Sequence, residues 1–121
     1  MPSLNMQGPF LFTSEDIDRQ VNIPSVGVFA LGYLQGIDFV VIYIGRAEED
    51  LRSTIKTWLG KDEKYKMFKY CYTVSPHAAY ERQCKNYHEF GGQKQLHNMS
   101  HPAPAEGTEW SCPFCQDESA A

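Results

Sequence analysis

No apolar run in this chain is long enough to cross a bilayer. The densest, Phe39 to Ile44, falls far short of the roughly 20 residues a membrane helix needs. A basic start followed by a sustained apolar stretch is also missing near the N-terminus, so no secretory leader is expected. These two absences predict a cytoplasmic, intracellular protein with no membrane partner. Cysteine is scarce, with four in 121 residues; without a secretory signal, so few do not make a disulfide framework. Basic residues stop at Lys94, and no internal repeat recurs. What remains is enough apolar and aromatic material, 42% and 13%, for one core and too little chain for two. A single domain spanning residues 1–121 is expected.

The net charge of −4 argues by itself against a nucleic-acid partner, since such binding rests on Lys and Arg neutralising phosphates. The average conceals three blocks. Residues 1–51 carry 2 basic and 7 acidic groups, residues 52–94 carry 9 and 4, and residues 95–121 carry 0 and 4. The basic middle consists of Arg52, Lys56, Lys61, Lys64, Lys66, Lys69, Arg82, Lys85 and Lys94. Gathered on one side, these residues would face a phosphate backbone; dispersed, they are solvated surface.

Thr13 and Ser14 before Glu15 and Asp16 predict a capped short helix to about Gln20. "VGVFALGYL" and "IDFVVIYIG", joined at Gln35-Gly36, predict a β-hairpin. Acids early, a lysine late, and Leu51, Ile55, Trp58 and Leu59 at helical spacing predict a helix over 48–59. "KYKMFKYCYTV" reads as a third strand. Ser75-Pro76 opens a last helix that Gly91-Gly92 ends. The expected fold is α+β, a small three-stranded antiparallel sheet flanked by helices, followed by an irregular tail.

That tail needs something to hold it. Cys84 and His88, four residues apart on the last helix, share one face. Cys112-Pro113-Phe114-Cys115 adds two thiolates at the spacing of a zinc knuckle, and together these donors fill a closed, structural Zn²⁺ site. His101 is an alternative to His88 as fourth ligand, with His97 a weaker substitute. The expectation is a zinc-pinned tail over 101–116. A glutaredoxin-like reading of the Cys pair needs a helix after Cys115, for which only six residues follow. Cys71, without a partner nearby in sequence, is expected in the core.

Gly27-Val28-Phe29 in the first hairpin strand, Tyr43-Ile44-Gly45 in the second, a charged helix, and Glu81 on a later helix resemble the GIY-YIG nuclease superfamily over roughly residues 25–100. The resemblance implies a sheet between helices that cleaves phosphodiesters with one divalent ion, Mg²⁺ or Mn²⁺. It implies Glu81 as the metal-binding glutamate, Tyr43 as the second motif's tyrosine and Asn98 as a late supporting asparagine. Two departures stand out. Phe29 replaces a tyrosine, and Thr54 stands where the family's arginine follows the leucine matched by Leu51. Arg52 lies two residues from that position, about 200° around a helix, so Arg46, directly after Gly45, is the better substitute. Phosphodiester cleavage needs a carboxylate, a hydroxyl or base, and a cation for the charge on phosphorus; the resemblance supplies the first in Glu81, lacks the first motif's hydroxyl at Phe29, and offers the cation only through the substitute Arg46. The expected function is a divergent GIY-YIG-like domain that binds nucleic acid, DNA before RNA, through residues 52–94, with weak metal-dependent endonuclease activity. The alternative is a catalytically inactive, zinc-stabilised module that binds protein or nucleic acid.

Overall fold

The computed structural model describes residues 6–90, 96, 102, 104 and 107–112. Its elements run β1 (Gln7–Leu11), α1 (Ser14–Gln20), β2 (Gly27–Gln35), β3 (Asp38–Ala47), α2 (Leu51–Lys56), β4 (Met67–Tyr72) and α3 (Pro76–Glu89). The sheet is antiparallel with order β1-β4-β2-β3. The expected three strands are all present, and β1 adds a fourth. "QGPFL" was not legible as a strand because Gly8 and Pro9 depress strand propensity. Proline is tolerated there because β1 is an edge strand that pairs with β4 alone.

The β2–β3 hairpin turns at Gly36, whose φ of 68° suits glycine. Leu31 faces Tyr43 and Gly32 faces Val41, which leaves Ile42 as an extra residue in β3 and bends the strand there. Alternation then divides the core. Phe29, Leu31, Phe68 and Tyr70 pack with Ile17 and Val21, from α1 and its C-cap, and with Leu51 and Ile55 of α2. Ala30 and Ile44 meet Tyr87 of α3 and Leu96 on the other face. Each fully buried Leu or Ile contributes about 1.5–3 kcal/mol.

The helix ends follow local chemistry. Thr13 Oγ1 accepts from Asp16 N at 3.1 Å, and Ser75 Oγ accepts from Ala78 N at 3.1 Å. α2 is shorter than the expected 48–59. After Lys56 the chain tightens into three-residue turns, with Trp58 N donating to Ile55 O and Leu59 N to Lys56 O. Gly45 is needed for packing: a methyl group there would meet Phe29 Cζ at 2.5 Å and Tyr43 Cε2 at 2.8 Å. Its absence of a side chain lets those two rings lie 6.1 Å apart. No helix among the described residues is long and apolar enough to cross a membrane.

Candidate functional site

β3 is an edge strand, so side chains at its C-terminal end are open to contributions from helices on both faces. Tyr43, Arg46, Ala47 and Glu48 from this end, Thr54 from α2 and Gln83 from α3 line a hollow of about 320 Å³. Arg46 is its centre. Its Nη1 donates to Gln83 Oε1 at 2.8 Å, and its Nη2 and Nε donate to Glu48 Oε2 at 2.7 and 3.2 Å. The guanidinium also lies 5.1 Å from the Tyr80 ring centroid, a cation–π contact. Gln83 is held in turn by its Nε2 donating to Ile44 O at 3.2 Å. A planar cation fixed on three sides in a shallow, open hollow suits recognition of a phosphate or carboxylate.

Burial raises the pKa of Tyr43, a shift partly offset by the positive charge of Arg46. Its hydroxyl therefore keeps its proton at neutral pH and acts as a donor, not as a base. Its ring packs 4.3 Å from Trp58 and 6.4 Å from Tyr65. Tyr65 is itself pushed up to about 12, first by burial and then by the charges of Asp62 and Tyr43. Thr54, which stands where the family arginine is expected, does line the hollow; its hydroxyl donates to Asp50 O at 2.9 Å.

Other expected residues lie elsewhere. Glu81 does not line the hollow; it is exposed, with its carboxylate 3.6 Å from His77 Nε2. Positions 81 and 83 are about 200° apart on a helix, so the turn that aims Gln83 inward turns Glu81 away. Phe29 is fully buried beside Tyr43 and presents no hydroxyl. Arg52 faces Asp18 of α1 at 4.0 Å, and Lys56 meets the same carboxylate at 2.6 Å. Two members of the basic block are thus already neutralised within the chain. Asn98 lies outside the described residues.

Cys84 is buried on α3, while His88 and Cys112 are half-buried. Among the described residues no three His, Cys, Asp or Glu side chains stand close enough to hold a metal ion; Cys115, His97 and His101 lie outside them. The tail does meet α3, where Trp110 stacks on His77 at 4.8 Å with planes 8° apart and reaches Tyr80 at 5.8 Å. Cys71 is half-buried in β4, and burial pushes its thiol up. It is therefore a poor nucleophile.

Glu48 and Gln83 were missed from sequence, although both left a trace. Glu48 follows Arg46 by two residues, which in extended chain puts both on one side. Gln83 interrupts the apolar stripe of Tyr80, Cys84 and Tyr87, where a buried amide needs a partner. Comparison with known protein families, curated proteins and solved structures finds no match.

Proposed function

We propose that this chain is a divergent GIY-YIG-like domain that binds the phosphodiester backbone of nucleic acid at the Arg46 hollow and hydrolyses it slowly or not at all. The observation that carries the reading is the meeting of Tyr43, Arg46, Thr54 and Gln83, from three separate elements, around one space. A phosphate oxygen entering it would take the place of the Glu48 carboxylate on the Arg46 guanidinium and accept from the Tyr43 hydroxyl. The donor set is a poor fit to a resident Mg²⁺ or Mn²⁺. Glu48 is the only carboxylate among the described lining residues and is paired with Arg46, whereas such hard ions ask for several charged or neutral oxygens. Incubation with labelled single- and double-stranded DNA and RNA is expected to give protein-bound label that falls as salt is raised. Absence of binding to all four ends the proposal.

A second reading, a module that binds without any hydrolysis, is favoured by the buried phenyl ring of Phe29 and by the outward position of Glu81. Both readings include a structural zinc ion held by Cys84, Cys112, Cys115 and either His88 or His101. Support comes from the donor chemistry, and from Trp110, which sets the tail beside His77 and Tyr80, one to two turns before Cys84. Elemental analysis of protein purified without added metal is expected to find about one zinc per chain. Cys112→Ser should lose it together with much of the stability. A metal-free preparation with full thermal stability would remove the zinc from the proposal.

A further inference from the structure

A second hollow, of about 420 Å³, lies at the far end of β2, walled by Tyr33, Leu34, Glu63, Lys64 and Lys66. Its frame is rigid. Lys66 N donates to Gly32 O at 2.8 Å and Lys64 N to Asp62 Oδ1 at 2.8 Å. Both lysines are exposed, and among the described residues neither enters an ion pair. That distinguishes them from Arg46, Arg52 and Lys56, each of which already faces a carboxylate. Tyr33 is half-buried and Leu34 is 42% exposed, giving an apolar wall beside two lysines, with the Glu63 carboxylate in the same lining.

An aromatic cluster lies between the two hollows. Tyr65, which is buried and lies between Lys64 and Lys66 in sequence, has its ring 6.4 Å from Tyr43 and 6.3 Å from Trp58 and so supports these two half-buried rings from beneath, and Tyr43 lines the Arg46 hollow. Tyr33, Tyr43 and Trp58 are partly buried against the same core cluster, so they share one face of the sheet. Cations beside half-buried rings such as Tyr33, Tyr43 and Trp58 are the kind of surface that binds single strands, where unpaired bases stack on aromatic side chains while the backbone follows the charge. A duplex keeps its base faces covered and offers such rings nothing. Glu63 suits the amino group of a base as an acceptor and would repel a phosphate.

We infer that the Tyr33–Leu34–Lys64–Lys66 hollow is a nucleotide subsite for single-stranded nucleic acid, which runs from it across Trp58 and Tyr43 to Arg46. The inference rests on the Arg46 reading for the direction of the strand, but the subsite has its own residues. The test is fluorescence anisotropy at low salt with a labelled short oligothymidylate and with its duplex. Lys64→Glu combined with Lys66→Glu is expected to weaken single-strand binding about tenfold or more. Leu34→Asp, which alters the wall without touching the core, is expected to weaken it about tenfold. Preference for the duplex, or unchanged single-strand affinity in both variants, overturns the subsite. If Arg46→Ala weakens binding while these variants bind like the parent, the subsite fails and the Arg46 seat stands. If these variants weaken binding and Arg46→Ala does not, the subsite stands and the Arg46 seat fails.

Discussion

Arg46→Ala is expected to produce the largest functional loss. Where the parent protein cleaves a phosphodiester, the rate should fall by about two to three orders of magnitude, the usual cost of removing a preorganised stabiliser of developing charge. The physical reason is the way the guanidinium is held. Gln83 and the Tyr80 ring fix its plane and stay in place when a phosphate displaces Glu48, so the guanidinium itself need not turn during reaction. Arg46→Lys should recover little, because a single ammonium cannot reproduce the fork that spans Gln83 and Glu48. Thermal melting separates this from a folding defect. The Arg46–Glu48 pair is partly exposed, with side chains 12% and 40% accessible, so its loss should move stability only modestly. Cleavage that continues at equal rates in both proteins would come from a contaminant or from another site, and the hollow would lose its role.

Installing the GIY-YIG pattern is the second large effect. Phe29→Tyr with Thr54→Arg is expected to raise cleavage by about four orders of magnitude or more if both groups act, about two from a hydroxyl and about two from a cation. Thr54 lines the hollow, so an arginine there reaches the same space as Arg46. Phe29 is harder to change. Its ring tip points at Gly45, and an added hydroxyl must find a partner or cost about 1–3 kcal/mol. Turnover by the double variant alone would identify the natural protein as a binder. Turnover by the parent protein would exclude the non-catalytic reading, and no turnover by either would place the defect elsewhere, with Glu81 turned out of the hollow as the first candidate.

Several elements were legible because their signals are local. Thr13 and Ser75 bear the hydroxyls that cap α1 and α3. The β-branched and aromatic content of residues 26–45 predicts the hairpin, and Gly36 marks its turn. β1 escaped because a strand containing Gly8 and Pro9 is stabilised by pairing with β4 and by the Phe10–Phe68 ring contact at 5.6 Å, both distant in sequence. The presence of Arg46 beside Tyr43 at the hollow follows from its place directly after Gly45 on β3. The direction of Glu81 was not readable, since it depends on which side of α3 meets the sheet, and Tyr80, Gln83 and Tyr87 decide that by their burial.

By itself the sequence determined where α1 and α3 begin, that one pair of strands is a hairpin carrying Tyr43 and Arg46, and that nine cations crowd the middle of the chain. Those properties follow from bonds and contacts between near neighbours. Only the tertiary structure decided which cations are spent on Asp18 and Glu48 and which stay open at Lys64 and Lys66. It alone brought Gln83 to Arg46 across 37 positions. Charge neutralisation and buried polar pairing act between groups close in space, and their partners are chosen by packing.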